Sequence, residues 1–318
     1  MGENVNLFEI KGLCKCYNNK ATPKVYAVNN INLTIKKGEI LGLVGESGCG
    51  KSTLGKMLLK LEQPSKGRII FNQQDITEYS FNQMRKIRNK MQMIFQGNAN
   101  AFNPYFTVEQ IISEPLNNYN WETKAKKRER IIAMLEKVGL NQTYLTRYCH
   151  EMSGGQRQRV GIARALILNP EFVVCDEAVS SIDYAMKSQI LTLLTDLKRQ
   201  FGLTYLFISH DIATVNKLCD RVVVMYLGNI VEMIPSVNNK VQHPYTKALL
   251  AATLIPNPRQ RVKKRVLFKD TEELKIPEKG CAFQNRCLYA QTVCKVEQPL
   301  LVPKNNEHYI ACHFCRNN

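Results

Sequence analysis

Long hydrophobic runs and an export signal are both missing from this sequence of 318 residues. Val222–Leu227, among its longest apolar runs, falls far short of the roughly 18 consecutive apolar residues that a bilayer-spanning helix needs. The first residues, Met1–Asn6, lack the basic and apolar regions of a secretory signal. We therefore expect a chain that neither crosses a membrane nor is exported, and that resides in the cytosol.

Internal repeats and low-complexity tracts are also absent, and acidic residues are scarce beside basic ones. Hydrophobic residues make up 44% of the chain and charged residues 22%, which is typical of globular proteins and excludes disorder and collagen. The formal net charge is +17. The basic runs Lys124–Arg130 and Arg259–Arg265 are most simply interpreted as solvated surface, with anionic lipid or nucleic acid as alternative partners.

Apolar runs typical of buried strands alternate with helical segments along the chain, which predicts an α/β fold with a mostly parallel core sheet. Residues of about 97–150 carry helical patterns and no strand pattern, which indicates an inserted helical subdomain. Prolines become frequent after Glu232, so we predict a domain of residues 1–235 and an extension of residues 236–318. The predicted strands include Ile40–Val44, Met91–Phe95, Phe172–Cys175, Thr204–Ser209 and Arg221–Tyr226.

A phosphate-binding loop is predicted at Gly45–Ser52, which fits the P-loop pattern between an apolar strand and a helix. Glycines allow successive backbone N–H groups to surround phosphate oxygens, and the following helix adds its positive dipole end. Lys51 would bring its charge to the terminal phosphates, and Ser52 would bind Mg²⁺. Spacing and context together disfavour the alternative, a glycine-rich turn before an ordinary helix.

A second acidic element, Asp176 and Glu177, follows the apolar strand Phe172–Cys175. This position predicts that Asp176 lies near the metal and that Glu177 polarises a water molecule at the γ-phosphate. The alternative is an acidic helix N-cap.

Ser153–Gln156 opens a second helix with the character of an anion site. One chain has no need of two such sites for one nucleotide, unless the second is offered to the nucleotide of a partner across a dimer interface. Here the sequence resembles the nucleotide-binding subunits of ATP-binding cassette transporters, with Met152 in place of the leucine that usually begins their signature.

The resemblance implies a P-loop NTPase cassette with an antiparallel β subdomain beside the core sheet, and ATP and Mg²⁺ as ligands. It implies that Gln96 is the Q-loop glutamine and His210 the switch histidine, so the expected catalytic residues are Glu177, His210 and Gln96. The expected Mg²⁺ ligands are Ser52, Gln96 and Asp176. The other implied nucleotide contacts are Tyr17 on adenine, Gly45, Ser47, Gly48, Cys49, Gly50, Lys51, Ser52 and Thr53 of the P-loop, Ser153, Gly154, Gly155 and Gln156 of the signature, and Asp183 of the D-loop.

Three segments narrow the resemblance to the F-type ATPase subunit of oligopeptide and dipeptide permeases: Gly42–Thr53, Lys90–Gln96 and His243–Thr246. This implies an importer whose ATP-driven dimer closure and opening move peptides. The implied partners are a D-type ATPase subunit, two permease subunits and an extracellular binding protein, with the chain on the cytoplasmic face of the membrane and no nucleic acid bound.

Other functions remain open at this point. Nickel or metallophore importers differ only in cargo, and a homodimer is an alternative to the heterodimer. Soluble cassette ATPases of DNA repair or translation usually carry two cassettes or a long coiled coil, and this chain has one cassette and no heptads. A P-loop kinase would leave the second helix start unexplained.

Eleven cysteines are many for a reducing compartment, and five of them crowd the end of the chain. Four thiols within loop sequence are better explained by a metal than by packing, and their long spacings favour an iron–sulfur cluster over zinc. The C-terminal motif also resembles that of permease ATPases, some of which hold a 4Fe–4S cluster. Zinc and unligated thiols are alternatives, and Cys315 is a possible substitute for Cys312. The expected ligands are Cys281, Cys287, Cys294 and Cys312.

Overall fold

The chain forms two compact units in the computed structural model, one of residues 1–78 and 209–318 and the other of residues 79–208. The structure describes residues 5–17, 25–95, 102–119, 123–179, 184–235, 241–252, 277, 279–305 and 307–315.

The helices and strands follow one another in an α/β order. The N-terminal elements are β1 (Asn6–Tyr17), β2 (Val25–Lys36), β3 (Ile40–Val44), α1 (Lys51–Leu58), β4 (Lys66–Phe71), β5 (Gln74–Asp75), α2 (Phe81–Ile87) and β6 (Met91–Ile94). The middle elements are α3 (Val108–Tyr119), α4 (Lys124–Lys137), α5 (Gly154–Leu166), β7 (Phe172–Asp176), α6 (Tyr184–Phe201) and β8 (Thr204–Ser209). The C-terminal elements are α7 (Ile212–Leu218), β9 (Arg221–Tyr226), β10 (Asn229–Pro235), α8 (Pro244–Ala252), α9 (Thr292–Val296), β11 (Val302–Asn305) and β12 (His308–Ile310).

The first unit contains an antiparallel sheet with the strand order β2-β1-β4-β5. Strand β2 buries Ile31, Leu33 and Ile35 and leaves Asn32 exposed between them, because successive side chains of a strand point to opposite faces. The resemblance to cassette subunits implied an antiparallel β subdomain, and this sheet confirms it.

The strands β3 and β9 of the first unit pair in parallel, with Leu41–Val44 opposite Arg221–Val224. Every residue of both strands is buried. Continuous apolar runs are typical of parallel strands that are covered on both faces. The apolar segments predicted as buried strands therefore occupy the interior, and β3 leads directly into the P-loop.

The C-terminal segment extends the sheet of the first unit. Strand β10 pairs antiparallel with β9 on one side and with β12 on the other, and β11 pairs with β12. The fully buried Glu232 of β10 accepts hydrogen bonds from the N–H of Gln242 (2.8 Å) and His243 (3.3 Å), and lies 2.9 Å from His308 Nε2. A buried carboxylate requires such partners, so Glu232 fastens three segments of the C-terminal region together.

The second unit combines three parallel strands with a group of helices. Strand β7 lies between β6 and β8, with Phe172 opposite both Met91 and Thr204. Helix α3 packs on α4 and α5. Side chains such as Ile112 of α3 and Leu135 of α4 are buried. The described part of residues 97–150 thus contains helices, as the sequence indicates, together with an isolated antiparallel bridge between Thr107 and Tyr148. Residues 97–101 and 120–122 of this segment lie outside the described residues.

The basic run Lys124–Arg130 forms the first half of α4, and most of its residues are exposed. The second run, Arg259–Arg265, lies outside the described residues. Among the helices that the structure describes, none is both long enough and apolar enough to cross a bilayer.

Candidate active site

The P-loop of the first unit is a tight turn between β3 and α1 that only glycine can make at two points. Gly45 has φ 159°, and a Cβ there would lie 2.2 Å from the carbonyl oxygen of Met225. Gly50 has φ 103°, and a Cβ there would lie 1.9 Å from the carbonyl oxygen of Ala27. Real Cβ atoms do not approach backbone so closely, so the glycines of the motif are required by the packing of the loop as well as by its shape.

Lys51 is the first residue of α1 and is buried, with an exposure of 5%. Its Nζ donates hydrogen bonds to the carbonyl oxygens of Gly45 (2.9 Å) and Glu46 (2.8 Å). The ammonium group is therefore held inside the curve of the loop, where it adds to the positive end of the helix dipole.

The backbone at the start of α1 is arranged for an anion. Gly50 occupies the N-cap in a left-handed conformation and makes no side-chain cap hydrogen bond, and no acidic residue lies in the first turn. Ser47 and Gly48 are exposed at the rim of the loop. Burial raises the pKa of the Cys49 thiol, which keeps this residue in its uncharged form.

The paired carboxylates of the second unit differ in conformation. Asp176 is the last residue of β7 and is buried. Glu177 has φ 47°, in the left-handed region, and its N–H donates to the carbonyl oxygen of Ile208 (3.1 Å). Such a backbone is strained for a residue other than glycine, and strain of this kind is common at active sites. It also ends the alternation of the strand, so the two adjacent carboxylates need not point to opposite faces.

The signature segment of the second unit forms a capped helix start. The Oγ of Ser153 accepts from the N–H of Gln156 (3.3 Å), and the Oε1 of Gln156 accepts from the N–H of Ser153 (2.9 Å). Gln156 also donates through Nε2 to the hydroxyl of Tyr144 (2.9 Å). Ser153 and Gly154 are exposed, and a Cβ on Gly154 would meet no atom within 4 Å. Tyr144 is a contact that sequence reasoning missed, although the Ser-x-x-Gln spacing of the capping box could be read from the sequence.

Two further predicted residues belong to the first unit. His210 follows β8 and is exposed, and Asp211 caps the helix that begins beside it, since its Oδ1 accepts from the N–H of Thr214 (3.2 Å). Tyr17 ends β1 with 47% of its surface exposed, and Lys15 Nζ lies 5.0 Å from its ring centroid. An exposed aromatic ring of this kind is able to stack on a base.

Comparison with known proteins decides the family. Residues 28–180 match the family described as ABC transporter, and residues 231–294 match the oligopeptide/dipeptide transporter C-terminal region. The oligopeptide transport ATP-binding protein AppF of Bacillus subtilis (strain 168) is 43% identical over 91% of this chain and 90% of its own length. The chain belongs to the ABC transporter family.

Further similar proteins agree with the cassette assignment. The oligopeptide transport ATP-binding protein OppF of Haemophilus influenzae is 42% identical over 90% of this chain and 88% of its own length. The solved dimeric post-hydrolysis structure of the ATP-binding cassette MJ0796, bound to ADP and phosphate, has a TM-score of 0.66 and 26% identity and covers 73% of this chain and all of that one. The structure of cbiO1 from Clostridium perfringens has a TM-score of 0.64 and 29% identity and covers 72% of this chain and 88% of that one.

The ABC cassette binds and hydrolyses ATP with Mg²⁺. The fold class predicted from the sequence is confirmed, and so is the ATPase activity. The hydroxyl of Ser52 and the carboxylate of Asp176 are each a type of oxygen donor that Mg²⁺ takes as a ligand, and their role toward the metal stays a prediction. Two predicted residues, Gln96 and Asp183, lie outside the described residues.

The C-terminal cysteines of the chain border one cavity of about 670 Å³, lined by Cys281, Cys287, Cys294, Cys312 and Cys315. Burial raises the pKa of Cys281 to about 11, whereas the hydrogen bond between Cys312 and Cys315 lowers the pKa of Cys312 and raises that of Cys315. The number and softness of these donors suit an iron–sulfur cluster. Within the described part of the chain, however, no group of three or more His, Cys, Asp or Glu side chains is arranged as a metal site.

Proposed function

We propose that this chain is the ATP-hydrolysing subunit of an importer of oligopeptides or dipeptides. The observation that carries the proposal is the match of residues 231–294 to the oligopeptide/dipeptide transporter C-terminal region, on the C-terminal side of the residues 28–180 that match the ABC transporter family. The relatives AppF and OppF, similar over about nine-tenths of the chain, are both oligopeptide transport ATP-binding proteins. We also propose a division of the chain at about residue 235, which the start of the second match at residue 231 supports.

Two chains would together form each nucleotide site. The exposed Ser153 and Gly154 at the start of α5 support a role toward a nucleotide held by another subunit, since an exposed helix start attracts anions. The similar MJ0796 cassette is a dimer with ADP and phosphate bound. By the resemblance stated above, the second subunit is a D-type ATPase, which would make a heterodimer.

Hydrolysis would proceed by attack of a water molecule on the γ-phosphorus, which releases phosphate and leaves ADP. Glu177 would accept the proton of that water, and His210 would hold the γ-phosphate. Lys51 would neutralise the terminal phosphates from within the P-loop. Ser52, Asp176 and Gln96 would hold Mg²⁺, whose chemistry is to withdraw charge from the phosphate oxygens. Asp183 and Tyr17 would complete the D-loop and adenine contacts.

The ATPase dimer would drive transport through membrane subunits. We propose that the chain lies on the cytoplasmic face of the membrane and works with two permease subunits and an extracellular peptide-binding protein. The helical segment of residues 97–150 would transmit the opening of the dimer to the permease subunits. ATP binding would close the two cassettes, and separation of ADP and phosphate would open them.

We also propose a 4Fe–4S cluster held by Cys281, Cys287, Cys294 and Cys312. The proposal is supported by the cavity that these four cysteines line together and by the resemblance of the C-terminal cysteine motif to that of permease ATPases. Anaerobically purified full-length protein should then contain iron and sulfide in equal amounts of about four per chain. Stoichiometric zinc, or a chain without metal, would overturn this part of the proposal.

The decisive experiment is uptake by cells in which the chromosomal copy is replaced by Glu177→Gln. Uptake of labelled oligopeptides should be abolished, and the purified assembly should remain in a closed, ATP-bound state. Normal peptide uptake, or a loss of nickel uptake alone, would contradict the peptide assignment. Glu78→Gln, at an exposed residue outside the segment of residues 97–150, serves as a matched control and should leave uptake unchanged.

A further inference from the structure

The P-loop of this chain carries a negative charge at Glu46, directly after Gly45. The side chain of Glu46 is 31% exposed, and the residue lies among the glycines and Lys51 that hold phosphate. A carboxylate beside bound triphosphate repels it, and the repulsion is stronger in a partly buried site than in water. ATP binding therefore requires that the charge of Glu46 be offset.

Arg286 of the cysteine-rich segment supplies the opposite charge. Its Nη1 donates to both carboxylate oxygens of Glu46, at 2.8 and 3.1 Å. The arginine side chain is only 11% exposed. Burial by itself lowers the pKa of Arg286, but the hydrogen bonds to Glu46 and Tyr226 outweigh this effect, so its pKa is raised and the guanidinium stays charged.

An aromatic cluster formed by Tyr226, Tyr245 and Phe283 fixes this arginine. The guanidinium lies 5.9 Å from the ring centroid of Tyr226, and the backbone N–H of Arg286 donates to the carbonyl oxygen of Phe283 (3.1 Å). The ring of Phe283 is 5.2 Å from that of Tyr226 and 5.5 Å from that of Tyr245. All three rings are buried.

The same cluster holds the backbone of Glu46. The hydroxyl of Tyr245 accepts a hydrogen bond from the Glu46 N–H (2.9 Å). Glu46 is thus fixed through its main chain by α8 and through its side chain by the cysteine-rich segment. Neither contact is a feature of the P-loop pattern itself.

We propose that Arg286 is a positioning residue for ATP binding, which neutralises Glu46 and fixes its carboxylate so that the P-loop accepts the triphosphate. The C-terminal extension would then be part of the nucleotide site of its own chain. This role does not depend on the cargo of the importer.

The test is isothermal titration of the full-length protein with the non-hydrolysable analogue AMP-PNP and Mg²⁺. Arg286→Ala should weaken binding about tenfold, which corresponds to about 1.4 kcal/mol. Adding Glu46→Gln to Arg286→Ala should restore affinity, because the uncompensated charge is then gone. Raising the salt concentration should shrink the loss in Arg286→Ala, since the repulsion is screened. A purely structural role for Arg286 would predict neither the restoration nor the salt effect.

A matched control is Glu307→Gln, which breaks the ion pair of Lys36 with Glu307 and thereby also removes a link between the C-terminal region and β2. It should leave the affinity unchanged. Wild-type affinity in Arg286→Ala, or equal weakness in Arg286→Ala with and without Glu46→Gln, overturns the proposal. If Arg286→Ala does not fold, Glu46→Gln alone decides: the remaining arginine should strengthen binding, and a weakening would overturn the proposal.

Discussion

The two glycine-containing helix starts of this chain, at α1 and α5, differ in how their N-terminal backbone groups are used. The start of α1 has a glycine N-cap without a side-chain hydrogen bond, followed by the buried Lys51. The start of α5 has a complete capping box between Ser153 and Gln156. The first start therefore leaves its N-terminal backbone groups without a side-chain cap, whereas the second is capped by its own side chains and leaves Ser153 and Gly154 exposed. Two glycine-containing helix starts that look alike in the sequence thus differ in whether their N-terminal N–H groups are already capped.

Removal of the charge of Lys51, at the start of α1, should have the largest effect on ATP hydrolysis. Lys51→Ala should reduce ATP hydrolysis by about 10²-fold or more, because a preorganised charge on the terminal phosphates is lost. Phosphate release by the purified protein measures this. Lys56→Ala, at an exposed lysine near the end of the same helix, should retain activity. Comparable loss in both variants would show that the effect belongs to the helix and not to Lys51.

Replacement of a glycine by alanine should have different effects at the starts of α1 and α5. Gly50→Ala should disrupt the P-loop and abolish nucleotide binding, since its Cβ would lie 1.9 Å from a backbone oxygen. Gly154→Ala has open space around its Cβ and should leave the thermal stability of the chain unchanged while lowering the ATPase activity of the assembled dimer. Calorimetry and ATPase assays distinguish these outcomes. Full activity of the Gly154→Ala dimer would remove the argument that a partner packs there.

His243, which precedes the helix α8 that contacts the P-loop, should make the stability of the chain dependent on pH. Burial lowers the pKa of His243 to about 3, so this residue is neutral in the folded chain, while the unfolded chain takes up a proton below about pH 6.5. Stability should therefore fall as the pH drops from 6.5 toward 3, by up to about 2 kcal/mol at pH 5 from this group.

Chemical denaturation of wild type and His243→Gln at pH 7 and pH 5 measures the contribution of His243. The variant should lose less stability between the two pH values than wild type does. An equal loss in both proteins would mean that His243 does not contribute.

The cap of the second start should have the smallest effect on stability. Ser153→Ala should lower the free energy of unfolding by about 1 kcal/mol, the usual contribution of such a cap. Ser80→Ala is the matched control, because Ser80 and Gln83 form the same capping box at α2. Both variants should lose similar stability in urea, but only Ser153→Ala should also lose ATPase activity. Equal activities would indicate that Ser153 only caps its helix.

Local patterns were sufficient for the strands and for the P-loop. Ile40–Val44 and Thr204–Ser209 are strands with the bounds that their apolar runs predict, because buried parallel strands need continuous apolar sequence. A helix follows the P-loop, as predicted, and it begins at Lys51. The left-handed backbone of Glu177 could not be predicted in the same way, since no residue type at that position signals a positive φ.

The sequence by itself determined the type of fold, the phosphate-binding loop and the family, because each depends on residue types at short, fixed spacings. Tertiary structure alone decided which residues surround that loop. Tyr245 and Arg286 contact Glu46 across 199 and 240 positions of sequence, respectively. No periodicity or motif spacing reports contacts over such distances, because they exist only after the C-terminal segment has packed against the loop that contains Glu46.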